Sequence, residues 1–401
     1  MKRTILLKLA LLSLCALLLT GCWSKRELNE IGIVTAIGID RQEEQYKVTV
    51  QVINPSEVAS KEMTTRTAVS TYTAVGNSIF ETIRKLMTLA PRRVYLSHVR
   101  EIVLGEEMAK EGIGKTLDFL SRDHEMRTDF HLTVAQGVEA EELMKILTPL
   151  ERIPAEKAFS SIKSGEDSWA PIEAVKISDV LNAMLSEGNN PTLSGIRIIG
   201  NPEQGNQLTN VEQVDSPANF AIDGLAVFRK DHLVGWLNEN QSKGYNYITD
   251  NVKNTAEYAP CENDEKGGIT LEVFDSTSKL KAAVTSNQPR ISINIELEAG
   301  IAEVECPLDL SKTATIRQVE KQFEEHVTTL AKRTIQVLQQ DLQSDVLGFG
   351  DLIHREDKTY WKSIKHEWDN IFPEVETEVK TTVKIKRTGT IVDSYQKDVE
   401  G

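Results

Sequence analysis

The chain has 401 residues, of which 46 are Lys or Arg and 60 are Asp or Glu, so its formal net charge at pH 7 is −14. A surface this acidic does not favour binding to nucleic acid or to anionic lipid, because both are negatively charged. A chain of this length exceeds what one hydrophobic core usually serves, so two or three domains are expected.

The N-terminus has the pattern of a signal peptide. Lys2, Arg3 and Lys8 precede an uncharged apolar run, residues 9–19. The 16 residues from 9 to 24 would span about 24 Å as a helix, less than the bilayer core of about 30 Å. We therefore expect residues 1–21 to be removed rather than to stay as a membrane-spanning anchor.

The apolar run ends in the tetrapeptide LTGC at residues 19–22, which is typical of a lipobox. Cys22 is then the lipidated first residue of the mature chain, followed by a polar spacer to residue 30. Two or more acyl chains give lasting membrane attachment. The alternative is an ordinary secretory cleavage site with a Cys beside it.

Residues 31–150 predict an N-terminal α+β domain. Apolar alternation favours a hairpin from segments 31–40 and 46–54, and the Thr/Ser-rich segment 57–73 is predicted as a loop or an edge strand. The remaining elements predicted in this domain are helices at 78–89, 106–121 (interrupted at Gly112 and Gly114) and 141–147, and strands at 99–104 and 130–135.

Residues 151–217 predict a middle domain and linker, with a helix at 177–185 and a strand at 193–200. Residues 201–217 are polar and rich in turn-forming residues, so we expect a domain boundary there.

Residues 218–401 predict a C-terminal α+β domain. It opens with a hairpin at 223–237, and its other predicted strands are 269–274, 279–285, 290–298 and 375–394, with a helix at 360–372. Its longest element is an amphipathic helix at 315–347, with a capping box at Thr315 and Gln318 and an end at Gly348. The apolar stripe of this helix could bind a partner helix, but packing on the domain's own sheet is more common.

This segregated order of strands and helices predicts a multidomain α+β protein, with largely antiparallel sheets flanked by helices. Besides Cys22, the mature chain has only Cys261 and Cys306. Outside the cytosol this pair could form a disulfide, and two separate buried thiols are the alternative.

The sequence predicts no catalytic residue, cofactor or metal site. Residues 109–116 end in Gly-Lys-Thr like a phosphate-binding loop, but Ala109 replaces the first glycine and the segment is predicted to be helical. The sequence also has no H-E-x-x-H motif and no G-x-S-x-G motif. We therefore expect a protein that is not an enzyme.

Two polar clusters stand out, at residues 91–98 and 121–127. Their side chains could form mutual ion pairs and caps, a surface for a protein partner, or an acid/base site. The candidate partner-surface residues are Arg92, Arg93, His98, Arg122, Asp123, Glu125 and Arg127.

With these features the sequence resembles the Ger(x)C family, the C-subunit lipoproteins of spore germinant receptors. The resemblance covers nearly the whole mature chain. Its motifs are GCWS with REL at 21–28, VTAIGID at 34–40, YKVTVQVINP at 46–55, the segments 91–113 and 117–127, DGLAVFRKDHLVGWL at 223–237, and Trp361 with Trp368.

The resemblance implies a three-domain body, lipid-anchored on the outer face of the spore inner membrane. Its implied partners are multi-pass A and B receptor subunits, and its implied role is non-catalytic, in nutrient-triggered germination. Whether this subunit binds the small-molecule germinant stays open. The alternatives are a solute-binding lipoprotein that captures a nutrient in a cleft, and a cell-wall enzyme with two carboxylates in a pocket.

Overall fold

Two β-sheets organise the residues that the computed structural model describes, which are Ile5 and residues 31–59, 66–261 and 264–389. One sheet has nine strands and the other has four. Apart from Ile5, the predicted signal peptide lies outside the described residues, as do Cys22, the predicted spacer to residue 30 and the end of the predicted strand at 375–394.

The nine-stranded sheet has the order β3-β2-β1-β5-β6-β7-β8-β9, and β4 pairs with the start of β1. Its strands are β1 (Ile31–Gln42), β2 (Gln45–Ile53), β3 (Val69–Gly76), β4 (Arg93–Tyr95), β5 (Glu101–Leu104), β6 (His131–Ala135), β7 (Thr192–Gly200), β8 (Ala218–Arg229) and β9 (His232–Leu237). The predicted hairpin of β1 and β2 is confirmed, and β3 is an edge strand, one of the two structures predicted for its segment.

Helices cover both faces of this sheet. They are α1 (Pro55–Ala59), α2 (Ile79–Leu89), α3 (Glu106–Glu111), α4 (Gly114–Arg122), α5 (Ala140–Met144), α6 (Pro154–Ser168), α7 (Ile177–Leu185) and α8 (Pro202–Gly205). Apolar residues of α2, α3, α4 and α7 share one core with one face of the sheet, and those of α5 and α6 share another core with the opposite face.

The α+β class with flanking helices is confirmed, but antiparallel pairing holds only toward the outside of the larger sheet. At its centre β1, β5, β6 and β7 pair in parallel. The reason lies in the connections, because the segments between β5, β6 and β7 contain helices long enough to carry the chain back to the same end of the sheet.

The nine-stranded sheet continues across residues 201–217, the segment predicted to separate two domains. β7 and β8, on either side of this segment, pair with each other in antiparallel register. The segment is therefore a polar excursion between neighbouring strands of one sheet, and a division of the chain into three domains stays a prediction.

Helix α6 was missed by the sequence analysis because its apolar signal is weak. Its buried face is formed mainly by small side chains, Ala155 and Ala158, together with Ile162. Its other positions include several Ser residues and a Gly, which lower helix propensity. Packing against the sheet stabilises this helix where local sequence preference does not.

The four-stranded sheet has the order β10-β11-β12-β13. Its strands are β10 (Thr255–Cys261), β11 (Asp264–Thr285), β12 (Gln288–Val304) and β13 (Glu376–Arg387). The associated helices are α9 (Glu239–Ile248), α10 (Thr313–Gln336), α11 (Phe349–Glu356), α12 (Lys358–Ile364) and α13 (Trp368–Ile371).

The long C-terminal helix is confirmed, but both of its predicted ends are wrong. It begins at Thr313, after Lys312 as N-cap, so Thr315 lies inside the first turn and is not the cap. It continues as a π-helical segment to Asp341, and Gly348 instead precedes α11. Its apolar stripe packs into the core of its own sheet, as predicted.

A buried carboxylate, Asp345, organises the turn into α11. It accepts hydrogen bonds from the backbone N–H groups of Phe349 and Gly350 and from Trp368 Nε1, at 3.1, 2.8 and 3.0 Å. Burial raises the pKa of Asp345 to about 7. Trp368 also stacks edge-on against Trp361, so the two tryptophans of the C-terminal motif belong to the core.

Candidate functional site

The two polar clusters predicted at 91–98 and 121–127 meet in the structure. Arg93 Nη2 and Glu125 Oε1 form an ion pair at 2.8 Å, and Ser97 Oγ donates to the backbone oxygen of Glu125 at 2.7 Å. Sequence analysis found each cluster separately, because spacing along the chain does not show that residues about 30 positions apart are neighbours. Glu125 is the residue that joins them.

Other charges of these clusters pair locally. Asp123 Oδ1 accepts the backbone N–H of Glu125, and Arg127 pairs with Asp129 at 3.1 Å. Arg122 pairs with Asp118 one helical turn earlier, and this contact lowers the pKa of the Asp118 carboxyl. Exposed pairs of this kind contribute little to stability, so they chiefly fix the shape of the turn.

Arg92 and His98 differ from their neighbours in having no ion pair among the described residues. Both side chains are exposed, and the His98 ring lies 5.8 Å from the ring of Tyr95. These two side chains are the ones in the first cluster that remain available to a ligand or a partner.

An apolar groove runs between α2 and α4 beside the Arg93–Glu125 pair. Its volume is about 290 Å³, and its apolar lining consists of Phe80, Ile83, Met87, Val94, Leu96 and Phe119. Phe80 is 51% exposed although it lies beside Phe119 at 6.5 Å between ring centroids. Arg84 and Arg122 also line this α2–α4 groove, as do Asp123 and Glu125, so it combines apolar groups with charges of both signs.

A second and larger cavity, of about 530 Å³, opens where β1 begins. Its lining includes Gly32, Glu57, Tyr72 and Arg92. We call it the Gly32 cavity. Its volume is within the size range of small-molecule sites.

Asp40, the last residue of the VTAIGID motif, is a buried structural carboxylate that sequence analysis did not single out. Its oxygens accept the backbone N–H groups of Ala140 and Glu141 at 2.8 and 3.0 Å, which caps α5. Burial raises the pKa of Asp40. The sequence feature that could have identified Asp40 is a single Asp following an apolar strand segment. A carboxylate buried in this position needs hydrogen-bond donors from the protein.

Glu101 is a second buried carboxyl group that was missed. It lies in β5 with 1% of its surface exposed, and Thr133 Oγ1 donates to its Oε1 at 2.5 Å. Its Oε2 has no hydrogen-bond partner among the described residues. Burial raises the pKa of Glu101 to about 8, so the group is protonated at neutral pH.

The segment that resembles a phosphate-binding loop has another role. Residues 106–111 are helical, as predicted, and the N–H groups of Ile113 and Gly114 donate to the backbone oxygen and Oδ2 of Asp231 at 2.8 and 3.3 Å. Asp231, in the β8–β9 turn, thus occupies two donors that a phosphate would need, one with its backbone oxygen and one with its carboxylate. Within the described ranges, no group of three or more His, Cys, Asp or Glu residues is arranged to hold a metal ion.

Cys261 and Cys306 are joined by a disulfide in the structure. The bond connects the end of β10 to the segment after β12, across a sequence separation of 45 residues. A link of this kind stabilises a fold mainly by restricting the unfolded chain. Its formation in the cell stays a prediction.

Lipidation of Cys22 stays a prediction, since this residue lies outside the described part of the chain. Among the residues that are described, no helix is both long and apolar enough to cross a bilayer.

Comparison with known families gives two matches that together span most of the chain. Residues 24–198 match the spore germination protein N-terminal domain, and residues 223–389 match the family described as spore germination B3/GerAC like, C-terminal. The gap between the matches contains the polar segment 201–217, although the larger sheet crosses it.

Individual spore germination proteins are also similar to this chain over most of its length. Spore germination protein KC of Bacillus subtilis (strain 168) is 33% identical over 94% of this chain and 95% of its own length. Spore germination protein B3 of the same organism is 23% identical, with 96% and 98% coverage. The crystal structure of the GerBC protein has the same fold, with a TM-score of 0.54 at 19% identity, covering 87% of this chain and 96% of that one.

The Glu101 carboxyl group predicts a pH-dependent stability. Its pKa is near 4.5 when unfolded and about 8 when folded, so the folded state binds more protons between these values. The stabilisation is complete below pH 4.5 and is lost as the pH rises toward 8, by up to about 1.4 kcal/mol per pH unit. Glu101→Gln, which mimics the protonated acid, should flatten this slope when urea unfolding is measured from pH 5 to pH 8. Parallel curves for the two proteins would contradict the assignment.

Proposed function

The chain belongs to the Ger(x)C family of spore germination proteins, and from this premise we propose that it is a membrane-anchored C subunit of a nutrient germinant receptor. In this proposal the lipid on Cys22 holds the protein at the outer face of the spore inner membrane. The chain then acts by assembly or signalling beside multi-pass A and B subunits, without catalysis.

The observation that supports this proposal most directly is the parallel pairing of the first described residues with the first polar cluster. Ile31 pairs with Arg93, and Gly32 pairs with Val94. Ile31 is only nine positions after Cys22 in the sequence, a reach of at most about 32 Å at 3.6 Å per residue. With a lipid on Cys22, the cluster lies close to the membrane and to proteins that span it.

The α2–α4 groove supports the same proposal, because it is a suitable docking site near the anchor. Leu89, at the end of α2, and Phe80, at its start, are both more than half exposed. Exposed apolar side chains beside charges of both signs fit an amphipathic segment with apolar and charged residues. We propose that the occupant is an extracytoplasmic segment of a multi-pass receptor subunit.

Direct capture of a nutrient is the second candidate function. The Gly32 cavity favours it, since a cavity of about 530 Å³ can hold a small solute. This activity is compatible with a receptor role, because a subunit can bind a small molecule and also contact its partners.

Anchoring predicts the behaviour of the Cys22→Ala variant. Without the thiol no acyl chains can be attached, so the protein should leave the membrane fraction and spores should respond poorly to nutrients. Fractionation of spore membranes and germination assays measure the two effects. The matched control is Cys261→Ser with Cys306→Ser, which should keep membrane attachment. Full membrane retention of Cys22→Ala with normal germination would contradict anchoring.

Docking at the groove predicts that Phe80→Asp weakens recovery of the receptor partners. Burying an unpaired carboxylate against an apolar surface is unfavourable, so we expect at least a tenfold loss of co-purified partner, equivalent to about 1.4 kcal/mol. Leu150→Asp, at a residue that is 95% exposed and outside the groove, is the control. Equal recovery from both variants, with unchanged melting curves, would refute this docking site.

A further inference from the structure

We propose that the Gly32 cavity binds a small zwitterion, a molecule with a primary ammonium group and an anionic group a few bonds apart. This inference rests on the second candidate function, capture of a small solute in this cavity, and it names the chemistry of the ligand. The cavity lies beside the α2–α4 groove, and Val94 lines both.

The cavity has the size and the lining of a small-molecule site. Val52 and Val94 are buried and form an apolar part of its wall, and Tyr72 lines it from the edge strand β3. Its volume of about 530 Å³ falls within the range of about 300–1,000 Å³ typical of ligand pockets. An aliphatic portion of a ligand can therefore be buried there together with its charged ends.

Glu57 supplies the anionic group of the site. Glu57 is one of the residues that line the cavity and is 8% exposed, and its buried Oε2 has no hydrogen-bond partner among the described residues. A buried carboxylate oxygen without a donor is unfavourable, and native proteins rarely leave one unsatisfied. A ligand ammonium would supply both the hydrogen bond and the opposite charge.

Arg92 supplies the cationic group. Its exposed side chain lines the same cavity and forms no ion pair within the described ranges, whereas the adjacent Arg93 is paired with Glu125. A guanidinium group binds carboxylate or phosphate through two parallel hydrogen bonds. The cavity lining, which also includes Arg66, therefore offers charges of both signs to the two ends of a zwitterion.

The walls that carry these groups are fixed by hydrogen bonds. Asn54 Nδ2 donates to the backbone oxygen of Thr67 at 2.8 Å and to Ser70 Oγ at 3.0 Å, which joins the end of β2 to the start of β3. Arg152 Nη1 donates to the backbone oxygen of Glu57 at 3.0 Å and holds α1 in place. A preorganised wall lowers the cost of ordering the site when a ligand binds.

Two sources can supply this chemistry. One is a free α-amino acid. The other is the ethanolamine headgroup of a phospholipid, because Gly32 is only ten residues from Cys22 in sequence. Both carry a primary ammonium group near an anion, so the experiment must include a probe for each source.

The test is isothermal titration calorimetry on the full chain in detergent micelles. The probes are the twenty protein amino acids, each tested singly, and O-phosphoethanolamine for the headgroup. We expect saturable binding of at least one probe and at least tenfold weaker binding of propionate and of ethylamine, which each lack one charged end. The probe that binds identifies the source.

Variants assign the binding to the cavity. Glu57→Gln and Arg92→Gln should each weaken binding at least tenfold, whereas Arg127→Gln, outside the cavity, should not change it. Ala90→Leu fills part of the cavity from a position whose backbone angles, φ −75° and ψ 134°, suit any residue. Ala90→Leu should also weaken binding. If Glu57→Gln fails to fold, this variant tests whether the ligand binds in the Gly32 cavity.

The proposal is overturned if no probe gives saturable heat, or if any folded cavity variant binds as tightly as the unmodified chain. Either result would leave the docking role intact, because recovery of partners by the Phe80 variant tests that role separately.

Discussion

The position of β1 is the constraint on which the larger sheet depends. This strand lies between β2 and β5, also pairs with β4, and is covered by helices on both faces. Ile37 and Ile39 enter one core and Ala36 enters the other, so each face of the strand excludes water. Because β1 is also the first described segment after Cys22, the same strand that organises the sheet determines which surface lies nearest the predicted anchor.

Burial on both faces explains the polar residues of the family motif. Asp40 ends the strand on the face covered by α5 and α6, and it satisfies two backbone donors at the start of α5. Gly105 leaves room for it, since a Cβ atom at that residue would lie 2.2 Å from Asp40 Oδ1. On the same face Glu101 is kept protonated by burial. These carboxyl groups have structural roles, and the groups available for function lie at the end of the sheet where β1 begins.

Sequence patterns predicted the elements whose local signal agrees with their final environment. The hairpin of β1 and β2, helix α2 with its Ser78 cap, and helix α7 all have clear periodicity, and the structure contains each of them. The parallel centre of the sheet and helix α6 depend on contacts between distant segments, which periodicity does not encode. The same limit applies to the candidate site. Arg93 and Glu125 were both singled out, but only the folded chain shows that they pair and that a groove and a cavity flank them.

In the proposed mechanism, a lipid anchor, a short tether and an adjacent surface hold this subunit beside its partners. A photo-crosslinking side chain at residue 80, introduced as benzoylphenylalanine in place of Phe80, tests this mechanism in intact spores. The mechanism predicts a covalent adduct with a membrane-spanning receptor subunit from this position. It predicts none from Tyr258, which is 53% exposed on the four-stranded sheet. The absence of an adduct from residue 80, or an equal yield from residue 258, would contradict it.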